Sequence, residues 1–173
     1  MCRQSAKRCK AMNSNCKQLE FAQGVWAGLM NDLRQRGRGR RESGAFLLGQ
    51  IRDTGLFVHT WLPYDELDPG SLAYAYVRLS SEAFTKLWAI CADRGMQVVA
   101  DVHTHPLGPG QSPSDRANPM IGLPGHVALI VPRFAAGNVR PENVSVNIYL
   151  GGKRWQNAFG AAAAEQIKIS GGP

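Results

Sequence analysis

Two histidines and an aspartate lie close together in the segment DVHTHPLGPGQSPSD, residues 101–115. His103 and His105 follow the apolar run VVA, so a strand that ends here would point both imidazoles to one face. Asp115, brought back by a loop rich in Pro and Gly, can add a carboxylate oxygen. Three such ligands suit Zn²⁺ and leave its fourth position open for a water, as catalytic zinc sites require, whereas structural sites are closed and typically contain cysteine. The spacing therefore predicts one catalytic zinc ion per chain.

Hydrolysis at such a metal also needs a general base, and Glu42 is the candidate. It opens the stretch ESGAFLLG, whose apolar centre predicts a buried strand. Taken by itself, Glu42 is more readily interpreted as an exposed charge at the start of that strand. Asp101, two residues before His103, could orient a ligand, pair with a basic substrate residue, or be a solvated charge at the strand end. We expect the other two histidines, His59 and His126, to be structural.

These residues together resemble the JAMM (MPN-plus, JAB) metalloprotease domain. ESGAFLLG, HTHP and SPSD match in order the family pattern of an upstream Glu, HxHP, a loop and SxxD. The resemblance implies a zinc isopeptidase with His103, His105 and Asp115 as ligands and Glu42 as general acid/base. It also implies that the Ser112 hydroxyl hydrogen-bonds the tetrahedral intermediate.

Ser112 has a second interpretation that rests on helix capping alone. It could cap a short helix that begins at Pro113 and carries Asp115. Ser114 could share either role. The loop from His105 to Asp115 is about one residue shorter than the family pattern, which leaves the choice between the two serines open.

The resemblance also implies a substrate, the C-terminal glycine tail of a ubiquitin-like protein or its conjugates. Only ten residues, RANPMIGLPG, separate Asp115 from the next predicted strand, too few for an insertion that grips a second ubiquitin. The chain is thus similar to compact prokaryotic JAB peptidases found with bacterial ubiquitin-like modifiers and their E1/E2-like enzymes. Three alternatives stay open: a peptidase that processes a ubiquitin-fold sulfur-carrier protein, a RadC-like DNA-associated protein, and a metal-free MPN-minus scaffold.

The elements that must position these residues alternate along the chain. Apolar periodicity predicts a helix from Phe21 to the glycines at 37 and 39, and a second helix capped by Ser80 or Ser81 and ended by Gly95. The predicted strands cover residues 45–51, 56–62, 74–79, 97–103, 126–132 and 144–150. The expected fold is α/β (α+β), a single JAB/MPN-like domain with a central mixed β-sheet flanked by helices.

Composition agrees with one soluble domain. The chain has 173 residues, 44% of them hydrophobic, and no apolar run long enough for a membrane span or a secretory signal, so we expect a cytoplasmic protein. Residues 1–17 are predicted to be a flexible basic tail and residues 18–173 the metalloprotease domain. The four cysteines form no CxxC pair, so a disulfide framework is not expected.

The net charge of +7 is concentrated near the N-terminus. Residues 1–41 carry ten Lys and Arg against two acids, whereas the rest of the chain is nearly neutral. The densest part, RQRGRGRR at 34–41, contains two glycines and no aromatic residue, so we predict a flexible connector with a steering charge. We do not expect it to bind nucleic acid, because base stacking needs aromatic side chains.

Overall fold

The computed structural model describes residues 18–72 and 79–171. It contains these strands: β1 Leu19–Phe21, β2 Gly44–Arg52, β3 Gly55–Pro63, β4 Gln97–Thr104, β5 Val127–Val131, β6 Ser145–Gly151, β7 Arg154–Ala158 and β8 Ile167–Ile169. It contains these α-helices: α1 Val25–Gly37, α2 Tyr64–Leu67, α3 Ser81–Asp93, α4 Pro113–Ala117 and α5 Ala161–Ala164.

The eight described strands form one sheet in the order β7-β6-β5-β4-β2-β3-β1-β8. β4 runs parallel to β5, and β1 runs parallel to both β3 and β8, while the remaining neighbours are antiparallel. This confirms the predicted mixed sheet. β4 and β2 lie at its centre, so both segments that carry the candidate site residues are flanked by strands on both sides.

Apolar side chains on both faces of the sheet hold the helices. The buried apolar side chains form two hydrophobic clusters, a larger one on one face of the sheet and a smaller one on the opposite face. Helix α1 buries Leu29 and Leu33 in the larger cluster, and α3 buries Leu87 in the smaller one. Each fully buried leucine contributes about 1.5–3 kcal/mol relative to exposure. Because β2 is covered on both sides, Phe46 and Leu47 are buried although their side chains alternate in direction.

The second predicted helix and its two signals are confirmed. The Ser80 side chain accepts a hydrogen bond from the Ala83 N–H, 3.3 Å away, which satisfies one of the free donors of the first turn of α3. Gly95 follows the helix with φ 59°, a left-handed conformation that glycine adopts without steric cost. The predicted strands at 97–103, 126–132 and 144–150 correspond to β4, β5 and β6.

The first predicted helix was wrong at its start. Phe21 ends the short strand β1, and α1 begins only at Val25 after Gly24. β1 has three residues, and it is specified by parallel pairing with β3 and β8, contacts that local periodicity does not reveal. β7, β8 and the short helix α5 were also not predicted. The strand expected at 74–79 and the tail at 1–17 lie outside the described residues.

The basic segment 34–41 is also not the flexible connector that its glycines predicted. Its first four residues belong to α1, and the next residues form a turn in which the N–H groups of Arg40 and Arg41 bond the Gly37 carbonyl at 3.0 and 3.2 Å. Arg38 caps the helix with φ 52°, bonding Arg34 through its backbone N–H. The arginines after α1 are therefore presented from an ordered turn.

Two further expectations concern the part of the chain that the structure describes. No helix in it is long and apolar enough to cross a membrane. Cys91 is a buried free thiol.

Candidate metal centre

The end of β4 brings two imidazoles together, as the HxH spacing predicted. Nε2 of His103 and Nε2 of His105 are 3.0 Å apart. Both side chains are largely buried, with 13% and 9% of their surface exposed. Two ring nitrogens that face each other this closely need a shared proton or a shared cation between them.

Asp115 completes the group from helix α4. Its Oδ1 lies 3.5 Å from Nε2 of His103 and its Oδ2 lies 3.2 Å from Nε2 of His105. The helix begins with a capping box: the Asp115 N–H donates to the Ser112 hydroxyl at 3.2 Å, and the Ser112 N–H donates to Asp115 Oδ2 at 2.6 Å. The predicted cap at Ser112, with Pro113 in the first helical position, is thus confirmed, and it fixes the carboxylate.

These three residues form a group that could hold a metal ion. Four ligands at the 2.0–2.1 Å typical of Zn²⁺ stand roughly 3.3 Å from one another in a tetrahedron. The two ring nitrogens are 3.0 Å apart, and the Asp115 carboxylate lies 3.5 Å from one of them through Oδ1 and 3.2 Å from the other through Oδ2, so the spacing is close to that value. The donor set therefore fits a zinc ion with one position left for a ligand from outside the chain.

Glu42 stands beside this group but is not one of its three members. Its Oε1 is 3.9 Å from Nε2 of His105, and the carboxylate is half-buried. The main chain is fixed next to it, because the Ser43 N–H donates to Thr104 Oγ1 at 2.9 Å and the Thr104 N–H donates to the Ser43 carbonyl at 2.8 Å. The Ser43 hydroxyl also bonds the Leu33 carbonyl of α1 at 2.8 Å. The exposed-charge interpretation of Glu42 was therefore wrong.

Close packing against a tyrosine ring explains the glycine at position 44, two residues after Glu42. Gly44 pairs with His103 across the β2–β4 ladder, and a Cβ atom there would lie 2.3 Å from the Tyr64 ring and 2.6 Å from the Val102 carbonyl oxygen. Only glycine lets the Tyr64 ring lie against the strand at this point. The ring thereby covers the sheet beside the metal group.

The electrostatics of the centre favour binding of a cation. Burial alone would raise the pKa of Asp115, but hydrogen bonds to His103 and His105 hold it well below its usual range. Burial acts to lower the pKa of His103, and the Asp115 carboxylate more than offsets this, so the pKa is raised. Burial raises the pKa of Glu42, and the neighbouring histidines offset this only in part. Because the pKa of His103 is raised, a proton competes with a bound cation up to a higher pH than at an ordinary histidine.

A left-handed turn holds the main chain of His105. Arg133, Phe134 and Ala135 have φ of 52°, 51° and 59°, a conformation that costs roughly 1–2 kcal/mol per non-glycine residue. The Phe134 N–H donates to the His105 carbonyl at 2.9 Å, while the His105 N–H donates to the Val131 carbonyl at 2.9 Å. The strained turn thus fixes the second histidine through its carbonyl, and the end of β5 fixes it through its N–H.

A row of polar side chains, two of them buried and two partly buried, supports the loop between His105 and Ser112. We call the row, which consists of Ser145, Asn147, Asn157 and Gln111, the amide ladder. Asn147 Nδ2 donates to the Ser145 hydroxyl at 2.8 Å, Asn157 Nδ2 donates to Asn147 Oδ1 at 2.6 Å, and Asn157 Nδ2 donates to Gln111 Oε1 at 2.8 Å.

The ladder reaches the loop at two points, because the Ser145 hydroxyl also donates to the Pro109 carbonyl at 2.6 Å. Sequence reasoning missed these residues. Their signal was the alternation SVNIYL, which places polar residues on one face of β6 and was compatible with a solvated face.

Asp101 is buried, so the interpretation of Asp101 as a solvated charge at the strand end was wrong. Only 2% of its surface is exposed, and its Oδ2 lies 2.6 Å from Nε2 of His126. His126 is buried by this contact and lies outside the metal group, in line with a structural role. His59 is exposed on β3.

Comparisons with known proteins concern the family and the fold of the chain. A family model described as prokaryotic homologs of the JAB domain matches residues 28–145, more than half of the chain. The solution structure of a protein from Desulfitobacterium hafniense superposes with a TM-score of 0.60 at 15% identity, covering 88% of this chain and 92% of that one. The solution structure of a protein from Salinibacter ruber gives a TM-score of 0.55 at 18% identity, covering 80% and 88%. At these identities the two structures show a shared fold.

Proposed function

This chain belongs to the prokaryotic JAB-domain family, and from that membership we propose that it is a zinc-dependent peptidase. It cleaves after the C-terminal glycine of a ubiquitin-like protein, in a precursor or a conjugate, within a bacterial ubiquitin-like system. The observation that supports this most directly is the group of His103, His105 and Asp115, whose possible ligand atoms lie within 4.8 Å of one another, with Glu42 beside them. A metal-free scaffold would not need all three ligands and the neighbouring acid.

Glu42 is the proton carrier in this proposal. A bound zinc supplies Lewis-acid polarisation of the scissile carbonyl and lowers the pKa of the attacking water. Glu42 takes the proton from that water and delivers it to the departing amine. A carboxylate whose pKa is raised by burial suits both steps, since a general base works best with a pKa close to the working pH.

Ser112 stabilises the oxyanion that forms during the attack. Its hydroxyl oxygen accepts the Asp115 N–H of the cap, which leaves the O–H proton free to donate elsewhere. The side chains of Ser112 and Ser114 both line the cavity beside the metal group. The cap orients the Ser112 hydroxyl, and we therefore assign the role to Ser112.

The short connection between α4 and β5 supports binding of a single ubiquitin-like domain. Helix α4 ends at Ala117 and β5 begins at Val127, so the chain has no large insertion there with which to hold a second ubiquitin-like domain. We therefore expect two kinds of partner, the tail of one ubiquitin-like protein and the E1/E2-like enzymes that attach it. Maturation of a ubiquitin-fold sulfur-carrier protein would use the same chemistry.

The test is cleavage of purified fusions. The zinc-loaded protein is incubated with a panel of bacterial ubiquitin-like and sulfur-carrier proteins, each fused through its terminal glycines to a reporter, with and without a chelator. We expect at least one fusion to yield a product whose mass ends at the glycine, and the chelator to abolish it. A protein with one zinc per chain that cleaves no fusion would overturn the proposal, and salt-sensitive DNA binding would then favour the RadC-like alternative.

A further inference from the structure

A small cavity leads away from the metal group along the sheet. It has a volume of about 130 Å³, and its lining includes His103 and Asp101 of β4 and Ala128 and Ile130 of β5. His103 pairs with Ile130 and Asp101 pairs with Ala128, so the floor runs from the metal ligand to Asp101. Two residues of strand make this distance about 7 Å. Met120 and Trp155 contribute apolar surface to the walls.

The far end of the cavity is acidic and is held rigidly. Asp101 is one of the lining residues and is fixed by the 2.6 Å contact with His126. No Lys or Arg lines the cavity, and none forms an ion pair with Asp101 among residues 18–72 and 79–171. A buried carboxylate seldom increases stability by itself, because desolvation offsets its attraction to a partner. Asp101 is therefore suited to a role in binding.

A second buried polar group, the Tyr64 hydroxyl, lies beside Asp101. Tyr64 is fully buried, and burial raises its pKa, as do the charge of Asp101 and a hydrogen bond with that carboxylate. Asp101 is thus held between His126 and a buried hydroxyl, neither of which brings a fixed positive charge to it.

In the proposed function, this cavity can receive the residue that directly follows the scissile bond. The cavity begins at the metal group, where Glu42 and Asp115 also line it, and if the acyl side of the scissile bond ends in glycine, that side has no side chain to occupy the Asp101 end. The first residue after the bond does have a side chain that could enter it. A lysine side chain reaches roughly 6 Å from Cα to Nζ, similar to the length of the floor. Its methylenes would pass Met120 and Trp155, and its charge would meet Asp101.

We propose that the Asp101 end of this cavity is a specificity subsite for a cationic side chain, Lys or Arg, directly after the scissile bond of a linear substrate. This inference rests on the proposed function for the orientation of the substrate. The binding itself depends only on the cavity and on Asp101, so it can be measured without cleavage.

The test compares three peptides, Ala-Gly-Gly-Xaa-Ala with Xaa as Lys, norleucine or Glu. Binding to the zinc-loaded Glu42→Gln protein is measured by calorimetry, and cleavage by the native chain is measured separately. We expect the Lys peptide to bind about tenfold or more tightly than the norleucine peptide, the range of a charge-assisted hydrogen bond, and the Glu peptide to bind most weakly. In Glu42→Gln/Asp101→Asn the Lys-to-norleucine ratio should fall to about one.

The matched control is Glu42→Gln/His126→Gln, which alters the same buried contact from the other side and keeps the carboxylate. It should retain the preference for Lys. Equal binding of Lys and norleucine peptides, or no measurable binding of the Lys peptide, would overturn the subsite. A loss of preference that is equal in both variants, or accompanied by loss of zinc, would overturn it too.

The two proposals fail in different ways. Cleavage without a preference for Lys would remove the subsite and leave the peptidase. A Lys preference in binding without cleavage of any peptide or fusion would leave the subsite and remove the peptidase.

Discussion

Glu42 Oε1 lies 3.9 Å from Nε2 of His105, too far for a direct hydrogen bond and close enough for both to contact one small molecule between them. The separation is built into the fold, because the Ser43–Thr104 hydrogen bonds fix β2 against the end of β4. A ligand of the metal would have to stand closer. A proton carrier for a bound water belongs at about this distance.

The first prediction concerns Glu42→Gln. It should keep one zinc per chain and the native fold, because Glu42 is outside the ligand group, and should lose about 10²–10⁴-fold in kcat/KM. Metal analysis and cleavage of an active fusion check both parts. His105→Ala is the control and should lose zinc and activity together. Loss of zinc from Glu42→Gln would instead make Glu42 a ligand.

The second prediction is that zinc binding weakens as the pH falls. The pKa of metal-free His103 is raised because the Asp115 carboxylate outweighs burial, so its proton persists to a higher pH than in an ordinary histidine. Below that pKa each zinc ion must displace the proton, and the apparent affinity should fall about tenfold per pH unit. Competition with a fluorescent chelator between pH 8 and pH 5 measures this dependence. A flat profile would contradict it.

The third prediction separates Ser112 from Ser114. Ser112→Ala should reduce kcat about 10²–10³-fold, as loss of an oxyanion donor does, and should cost about 1 kcal/mol of stability through the lost cap. Zinc affinity should change little, because the Ser112 N–H that holds Asp115 remains. Ser114→Ala is the matched control and should be nearly neutral. The reverse result would move the role to Ser114.

Much of the site could be predicted because its signals are local. HxH at a strand end and S-P-S-D at a helix start each specify geometry within a few residues. The residues alone offered Glu42 only as a candidate, and the family resemblance was needed to assign it a role, since its closeness to His105 depends on pairing between β2 and β4. The amide ladder, the left-handed turn and the Asp101–His126 contact join segments distant in sequence. For the same reason β1, defined by its neighbours β3 and β8, was mistaken for the start of a helix.

The fourth prediction tests the amide ladder. Asn147→Leu should leave Asn157 and the Ser145 hydroxyl short of buried partners, costing about 1–3 kcal/mol. Because the ladder holds the loop before Asp115, zinc affinity should also fall. Urea unfolding with and without zinc measures both effects. Val146→Ala, on the core-facing side of the same strand, is the control and should lower stability without changing zinc affinity. Equal zinc affinity in both variants would show that the ladder stabilises the sheet and has no effect on the metal centre.

The last prediction concerns the ordered turn after α1. Arg36 is committed to Asp32, Asp65 and Glu66, with contacts of 2.9, 2.8 and 2.6 Å, and so is part of the scaffold. The exposed side chains of Arg40 and Arg41 have no acidic partner among the described residues and stand directly before Glu42.

An exposed positive charge at this place should speed the capture of a substrate with an acidic surface. Arg40→Glu/Arg41→Glu should therefore lower kcat/KM for such a fusion about tenfold at low salt, and much less at 0.5 M salt, where the Debye length is only a few ångströms. Zinc content should not change. Arg52→Glu/Arg94→Glu carries the same change in charge at exposed positions outside the site and should have little effect. Tight DNA or RNA binding with a steep salt dependence, lost in Arg40→Glu/Arg41→Glu and accompanied by no cleavage of any fusion, would instead assign the turn to nucleic acid.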